Sequence, residues 1–184
     1  PLEVSILSKI KSANSPAVNW TSNGMDNLII FSAKYLIFIL VLIILLVWLK
    51  SPVKMRWQFA AAMVLAGIAA FALSRITGAL YYHPRPFVAQ HITPLISHGS
   101  DNGFPSEHTL LAMTLSTVVY YYRRRLAAGL FGLTLLVGIG RVLAHVHSPI
   151  DILGALLLGV LAGWVGHWLA RKLFPQKKEL EPHT

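Results

Sequence analysis

Three short stretches of the chain carry residue types that together suit binding and transferring a phosphate. All three lie at the ends of apolar segments that are long enough to cross a membrane. His108 and His147, two arginines, a serine and an aspartate therefore meet at one membrane surface, and we interpret them as one site. The stretches are His83-Pro84-Arg85-Pro86, Phe104-Pro105-Ser106-Glu107-His108, and Arg141 followed by His147 and Asp151.

The third stretch offers a nucleophile. Ser148-Pro149-Ile150-Asp151 is typical of a helix start, with serine as the cap, proline at the first helical position and an acid at the third. Asp151 is therefore either a capping carboxylate or a partner that accepts the ring N–H of His147, fixes its tautomer and stabilises its positive charge. In the second case the other ring nitrogen of His147 faces a substrate as the nucleophile. Because Arg141 lies six residues upstream, we favour the functional role.

The second stretch also begins a helix. Backbone N–H groups at a helix amino end bind anions, and the helix dipole helps. Ser106 either donates its hydroxyl to a phosphate oxygen, beside the N–H groups near Glu107 and His108, or acts only as an ordinary cap. His108 lies on the same predicted side of the membrane as His147, and it is the candidate that passes a proton to a leaving oxygen.

Arg85 and Arg141 supply the planar donors that suit phosphate. Arginine near a membrane surface often only extends its charged end to water. Arg141, however, ends an apolar segment on the side opposite the basic loops, which argues against an anchoring role. Pro84 and Pro86 restrict the backbone on both sides of Arg85, as expected where a guanidinium has to point one way.

The composition indicates a membrane protein. Of 184 residues, 55% are hydrophobic and 12% are charged, whereas soluble domains carry about a quarter charged residues. The formal charge of +9 comes from basic residues that flank apolar segments, which favours anionic lipid headgroups over a nucleic-acid partner. The absence of cysteine from the sequence excludes disulfides and thiolate metal sites.

The expected fold class is all-α, a polytopic membrane helix bundle in a single domain of residues 1–184. A membrane-spanning helix takes about 20 mostly apolar residues. Small residues four apart on the fifth segment, at Ala155, Gly159 and Gly163 with Gly166 one step off, predict close helix packing. The five predicted segments are Ile29–Leu49, Trp57–Tyr81, Glu107–Tyr122, Leu126–Leu143 and Ile150–Ala170.

The termini are expected to lie outside the bilayer. Residues 1–28 are too polar to span it, and they predict a short interfacial helix on the membrane surface from the spacing of Leu2, Ile6 and Ile10. The tail, residues 175–184, is polar and expected to be disordered.

The basic residues predict the orientation. Three basic regions are expected to be cytoplasmic by the positive-inside rule, so all three phosphate-binding stretches fall on the extracytoplasmic side. Lys9 and Lys11 argue mildly against the resulting outside position of the amino terminus. The basic regions are Lys50, Lys54 and Arg56; Arg123-Arg124-Arg125; and Arg171, Lys172, Lys177 and Lys178.

The three stretches resemble the signature motifs of the type 2 phosphatidic acid phosphatase family over roughly residues 75–155. The resemblance is carried by Arg85-Pro86, Pro105-Ser106-x-His108 and Arg141-x5-His147-x3-Asp151. Arg85-Pro86-Phe87-Val88 and Phe104-Pro105-Ser106-Glu107-His108 are most similar to the small bacterial undecaprenyl-pyrophosphate phosphatases of the bacitracin-resistance type.

The resemblance implies a role for each motif residue. It implies His147 as nucleophile, His108 as acid and base, and Asp151 as the residue that orients His147. It implies no metal or other cofactor. The implied phosphate ligands are Arg85, Ser106 and Arg141, and we add Glu107 as a further candidate for substrate binding.

The sequence departs from the family pattern at four positions. The family's first motif usually has a lysine where this chain has Gly78, and Arg75 lies one helical turn earlier as an alternative. Glu107 stands where glycine is common, which complicates an all-donor phosphate cradle. Gly140 replaces a usual serine, and His145 stands where glycine is commonest.

The resemblance and the predicted orientation imply hydrolysis of a polyprenyl pyrophosphate at the outer face of the bacterial inner membrane, which suits carrier recycling in cell-wall peptidoglycan synthesis. Phosphatidylglycerophosphate, phosphatidate and lipid A phosphates are alternative substrates, and transfer to another lipid is an alternative to hydrolysis. Membrane lipids are the other expected partners.

Two rival functions remain. The first is a metal-dependent hydrolase with His108, His145, His147 and Asp151 as ligands, which the nearby arginines disfavour because they repel a cation. The second is a transporter or lipid-binding protein, since ionisable residues at membrane depth mark ion pathways. The clustering of the ionisable residues at one surface argues against it.

Overall fold

The computed structural model describes residues 24–175. These residues form helices and contain no β-strand. One isolated antiparallel β-bridge pairs Pro84 with Asn102. The helical membrane bundle predicted from the composition is confirmed. The helices are α1 (Gly24–Lys34), α2 (Leu36–Lys50), α3 (Val53–Leu80), α4 (Pro86–Ala89), α5 (Glu107–Tyr122), α6 (Arg124–Leu143) and α7 (Pro149–Leu173).

Three helices in this range, α3, α6 and α7, are long and apolar enough to cross a membrane. The first predicted segment is not one straight helix, because α1 and α2 meet at Tyr35 with a bend of 48°. Counted as one broken span, this pair makes four.

The third predicted segment, α5, has 16 residues and extends about 24 Å, short of the hydrocarbon thickness of about 30 Å. Eight of its residues are buried, so α5 lies inside the bundle.

Two predictions for the termini fall mostly outside the described residues. The interfacial helix around Leu2, Ile6 and Ile10 and the tail after residue 175 lie there. Residues 24–28, which the sequence assigned to the interfacial segment, instead begin α1.

The small residues on α7 allow close contact with two neighbouring helices. A methyl group added at Gly163 would lie 2.6 Å from Cβ of Thr117 on α5, and one at Gly166 would lie 2.5 Å from Cβ of Ala66 on α3. These distances are shorter than van der Waals contact, so glycine is required for this packing. The predicted packing role is confirmed, and α7 forms the axis against which α3 and α5 are held.

The connections gather the three motifs at one end of the bundle. The end of α3, the start of α5, the end of α6 and the start of α7 all lie there, joined by the 81–106 loop and the short turn before Pro149. Arg123 alone separates α5 from α6 at the opposite end.

Candidate active site

The chain reverses after α6 and places His147 next to the helix it has just left. His145 adopts a left-handed conformation with φ of 61°. The N–H of Val146 donates to the carbonyl of Arg141 and that of His145 to the carbonyl of Val142, which together form a Schellman motif. Because of this reversal, the N–H of His147 also reaches the Arg141 carbonyl, at 3.3 Å.

The hydrogen bonds of His147 fix its tautomer. Nδ1 lies 2.9 Å from the carbonyl oxygen of Gly103, and a carbonyl can only accept, so Nδ1 carries the proton. Nε2 lies 3.2 Å from Nη1 of Arg85 and 3.3 Å from Nη2 of Arg141. Guanidinium groups can only donate, so Nε2 presents its lone pair between two cations, where a phosphate would bind.

Burial keeps His147 neutral. The side chain is 2% exposed, and burial lowers the pKa of its imidazole below the ordinary value of 6.5. Asp151 opposes this shift, and the positive charges of Arg141 and Arg85 add to it. A neutral imidazole with a free lone pair is the nucleophilic form.

Asp151 has the capping role and part of the catalytic role that the sequence left open. Its Oδ2 accepts a hydrogen bond from the N–H of Ser148 at 2.7 Å, and Ser148 Oγ accepts from the N–H of Asp151, which completes a capping box. Oδ2 also lies 3.6 Å from Nδ1 of His147, too far for a hydrogen bond but close enough to stabilise a positive charge.

The predicted contact between Asp151 and the ring N–H of His147 is therefore wrong in its detail. The N–H donates to Gly103 because the 81–106 loop passes over the ring. Asp151 instead accepts from His83, whose Nδ1 lies 2.9 Å from Oδ1 and 3.3 Å from the hydroxyl of Ser148. His83 stood in the first motif without an assigned role.

Arg85 is held by hydrogen bonds to other residues of its own 81–106 loop. Its Nε lies 3.0 Å from Oδ1 of Asp101, and its two terminal nitrogens donate to the carbonyls of Val146 and Asn102. Arg85 is 4% exposed, whereas the side chain of Asp101 is 73% exposed. These contacts point the guanidinium at His147, as the prolines on both sides predicted.

Arg141 depends on the first helix. Its Nη1 donates to the carbonyl of Ala33 at 3.3 Å, and its buried Nε has no hydrogen-bond partner in the described part of the chain. Added atoms at Gly140 would collide with Ser32, so the serine usual in the family has no room here. The kinked α1 therefore positions one of the two arginines, a role that the sequence did not indicate.

The second motif lies against the third. The N–H of Ser106 donates to the backbone carbonyl of Asp151 at 3.3 Å, and its hydroxyl lies 3.1 Å from that of Thr109. Ser106 begins α5 without a side-chain capping bond. His108 is half-buried and close enough to Arg141 and His147 to interact with both electrostatically.

Glu107 is exposed and borders a cleft of about 340 Å³ beside Arg85. That cleft is also lined by Arg75, so the alternative cation suggested by the sequence reaches the site. At Gly78 the 81–106 loop leaves little room for the lysine that is usual in the family. Nδ2 of Asn102 donates to the Gly78 carbonyl, and an added Cβ would lie 3.2 Å from the carbonyl oxygen of Phe104.

His98 is a site residue that the sequence did not indicate. Its ring centre lies 5.9 Å from that of His147, at an interplanar angle of 79°. Burial, followed by the positive charges of Arg85 and Arg141, lowers the pKa of His98 to about 4. No motif contains this residue, and only the folding of the loop brings it to the nucleophile.

The alternative metal-binding set is not assembled. Among residues 24–175, no three histidine or carboxylate side chains are grouped so that they could hold a metal ion. His145 is exposed at the helix end, while Nε2 of His147 faces two arginines.

Comparison with known proteins identifies relatives. The PAP2 superfamily profile matches residues 55–175. The undecaprenyl-diphosphatase BcrC of Bacillus subtilis (strain 168) is 32% identical over 141 residues, 77% of this chain and 72% of the relative. The bacitracin transport permease protein BcrC of Bacillus licheniformis is 32% identical over 81% of this chain and 73% of its own length.

A third relative and one solved structure extend the comparison. The putative undecaprenyl-diphosphatase YbjG of Escherichia coli (strain K12) is 30% identical over 87% of this chain and 78% of its own length. The crystal structure of Aquifex aeolicus LpxE superposes with a TM-score of 0.60 at 22% identity, covering 76% of this chain and 81% of that one. This structural likeness supports the fold.

Proposed function

The chain belongs to the PAP2 superfamily, and from that premise we propose that it is a multi-pass membrane phosphatase that hydrolyses undecaprenyl diphosphate to undecaprenyl phosphate. The observation that carries the proposal is the placement of Nε2 of His147 between the guanidinium groups of Arg85 and Arg141. The lone pair of this nitrogen faces the position between the two guanidinium groups, where a phosphate would bind. The names of two relatives support this substrate: the undecaprenyl-diphosphatase BcrC of Bacillus subtilis and the putative undecaprenyl-diphosphatase YbjG of Escherichia coli.

The first step is attack by Nε2 of His147 on the terminal phosphorus. The N–P bond forms as the bond from phosphorus to the bridging oxygen breaks, and undecaprenyl phosphate leaves with a proton from His108. The non-bridging oxygens take over the N–H groups of Arg85 and Arg141, because phosphate is the stronger acceptor. The imidazolium that results is stabilised by the Gly103 carbonyl at 2.9 Å and by Asp151 at 3.6 Å.

The second step restores the enzyme. Water gives a proton to His108 and attacks the phosphohistidine, which releases inorganic phosphate and the neutral imidazole. Ser106 and Glu107 remain candidates for contact with the substrate at the start of α5. The positive-inside rule supports an extracytoplasmic site in a bacterial inner membrane, since Arg123, Arg124 and Arg125 lie at the other end of the bundle.

The test is phosphate release by the purified protein in detergent, with undecaprenyl diphosphate, undecaprenyl phosphate, phosphatidylglycerophosphate, phosphatidate and a lipid A phosphate compared. We expect the diphosphate to be preferred, activity to survive excess EDTA, and His147→Ala to lose about 10³-fold or more. Terminally labelled substrate quenched in alkali should leave acid-labile label on the wild type and none on His147→Ala. Near-normal turnover by His147→Ala would refute the nucleophile, and strict dependence on added metal would refute the mechanism.

A further inference from the structure

The cleft beside the nucleophile has more binding capacity than one phosphate uses. It has a volume of about 340 Å³ and extends from Arg85 past His98 and Asn102 to Arg75 on α3. In the proposed reaction the terminal phosphate binds at the Arg85 end of the cleft, since Nη1 of Arg85 lies 3.2 Å from Nε2 of His147. The part between His98 and Arg75 has no role in the chemistry described so far.

His98 lines this part of the cleft and carries a buried polar atom without a hydrogen bond. Its Nδ1 is buried and has no hydrogen-bond partner among residues 24–175. Leaving a buried polar atom unpaired costs about 1–3 kcal/mol, so a ligand that reached this atom would gain a hydrogen bond that the protein lacks. The ring lies 5.9 Å from that of His147, which places the ligand next to the reacting phosphate.

Arg75 brings a charge that pairs with no carboxylate among residues 24–175. It is exposed, and its guanidinium lies over the ring of Phe71 at 5.6 Å.

Two carboxylates border the same cleft. Asp101 is engaged by Arg85 at 3.0 Å, and Glu107 stands on α5 without an ion pair in the described part of the chain.

An apolar groove continues from the cleft between α3 and α5. Ser74 and Glu107 line both, and the groove walls are Gly67, Ala70, Phe71, Leu110 and Leu111. A lipid whose terminal phosphate is at His147 and whose chain enters this groove has to pass Arg75, which rests on a groove residue. The group at that point of a lipid diphosphate is the phosphate attached to the chain.

We propose that the cleft between Arg75 and His98 is a second phosphate subsite, which binds the lipid-proximal phosphate of a diphosphate and makes the enzyme prefer diphosphates to monophosphates. Arg75 supplies the charge, and Nδ1 of His98 supplies a hydrogen bond. The proposal deepens the proposed function and rests on it for the identity of the lipid. Both residues act on binding of the second phosphate and not on the reacting bond.

The test compares inhibition by inorganic pyrophosphate and by orthophosphate in wild type, Arg75→Gln and Arg75→Lys. Phosphate release from the best lipid substrate of the wild type is the assay. We expect Arg75→Gln to raise the inhibition constant of pyrophosphate about tenfold and that of orthophosphate less than about twofold, since charge-assisted hydrogen bonds to the second phosphate are lost. Arg75→Lys should fall between, and His98→Ala should shift in the same direction as Arg75→Gln.

The matched control is Arg124→Gln. Arg124 also stacks on an aromatic ring, that of Tyr120 at 5.4 Å, but at the opposite end of the bundle. The Arg124→Gln variant should leave the inhibition constants of pyrophosphate and orthophosphate unchanged. Equal shifts for pyrophosphate and orthophosphate in Arg75→Gln, or no shift, would overturn the subsite. Failure of the proposed function is separate, because it appears as a wild type that hydrolyses another lipid in preference to undecaprenyl diphosphate.

Discussion

Nδ1 of His83 lies 2.9 Å from Oδ1 of Asp151. This contact joins the first motif to the third and holds the carboxylate oxygen that does not accept from the N–H of Ser148. With Oδ1 held in this way, Oδ2 is directed towards the capping N–H of Ser148 and the imidazole of His147. In the proposed mechanism His83 is therefore a positioning residue for the charge that stabilises the phosphohistidine.

Replacing His83 by alanine should lower kcat about tenfold and leave KM nearly unchanged, because a hydrogen bond to a charged group about 1.5–3 kcal/mol strong no longer orients Asp151. Steady-state kinetics on the lipid substrate measure both constants. His91→Ala is the control, since His91 is an exposed histidine of the same loop. A rise in KM alone would show that His83 contacts the substrate instead.

Asp151→Asn separates the capping role from the electrostatic one. Asparagine keeps an oxygen for the N–H of Ser148, so the melting temperature should change little. Loss of the negative charge 3.6 Å from His147 should lower kcat about 10²–10⁴-fold.

Ser148→Ala is the comparison for Asp151→Asn. It removes the reciprocal cap and should destabilise the fold by about 1 kcal/mol, with a much smaller loss of kcat. Parallel losses of activity and stability in the two variants would mean that Asp151 acts only as a cap.

Lowered pKa values of two histidines predict the response to acid. His147 stays neutral to a pH below 6.5, so kcat/KM should hold at mildly acidic pH and fall only below that value. The folded pKa of His98, about 4, lies below its unfolded value of 6.5. The unfolded state therefore takes up the proton first, and stability present above pH 6.5 is lost as the pH falls towards 4.

Melting curves in detergent between pH 7.5 and 4 test the stability half of this prediction. The slope of the melting temperature with pH should be smaller in His98→Gln than in the wild type. An identical slope would contradict the assignment of His98, and a full loss of kcat/KM above pH 6.5 would contradict that of His147.

Glycine at position 145 should stabilise the protein. His145 has φ of 61°, a region that costs a residue with a Cβ about 1 kcal/mol relative to glycine. His145→Gly should therefore raise the melting temperature in detergent and leave kcat near the wild-type value. His145→Ala keeps the strain and should show no gain; a gain there would assign the effect to loss of the imidazole.

Alanine at position 103 should impair the site. An added Cβ would lie 3.0 Å from the carbonyl oxygen of His83 and 3.2 Å from Oδ2 of Asp151, so the loop that holds Nδ1 of His147 has to shift. We expect kcat to fall about 10-fold or more, since small displacements of a positioned nucleophile are costly. Gly129→Ala is the control, with nothing within 4 Å of the added atom; equal effects of the two would contradict the crowding.

The membrane bundle, the family and the three motifs followed from the sequence. Apolar length and basic flanks are local properties, and they placed α3, α6 and α7 within a few residues of their observed ends. The Ser-Pro-x-Asp pattern predicted the capped start of α7 because capping acts within one helical turn. The chemical roles of His147, His108, Asp151 and the phosphate ligands stay predictions until the variants are measured.

The contacts that complete the site were decided by packing over long sequence separations. His147 lies 44 residues from Gly103, and His83 lies 68 residues from Asp151, so no spacing rule connects either pair. The kink at Tyr35 brings Ala33 to Arg141, and the 81–106 loop brings His98 to the nucleophile. Residue types and local periodicity determine which helices form and which side chains suit phosphate. Only the close approach of those helices determines which atom receives each hydrogen bond, because that depends on the volumes of residues distant in the chain.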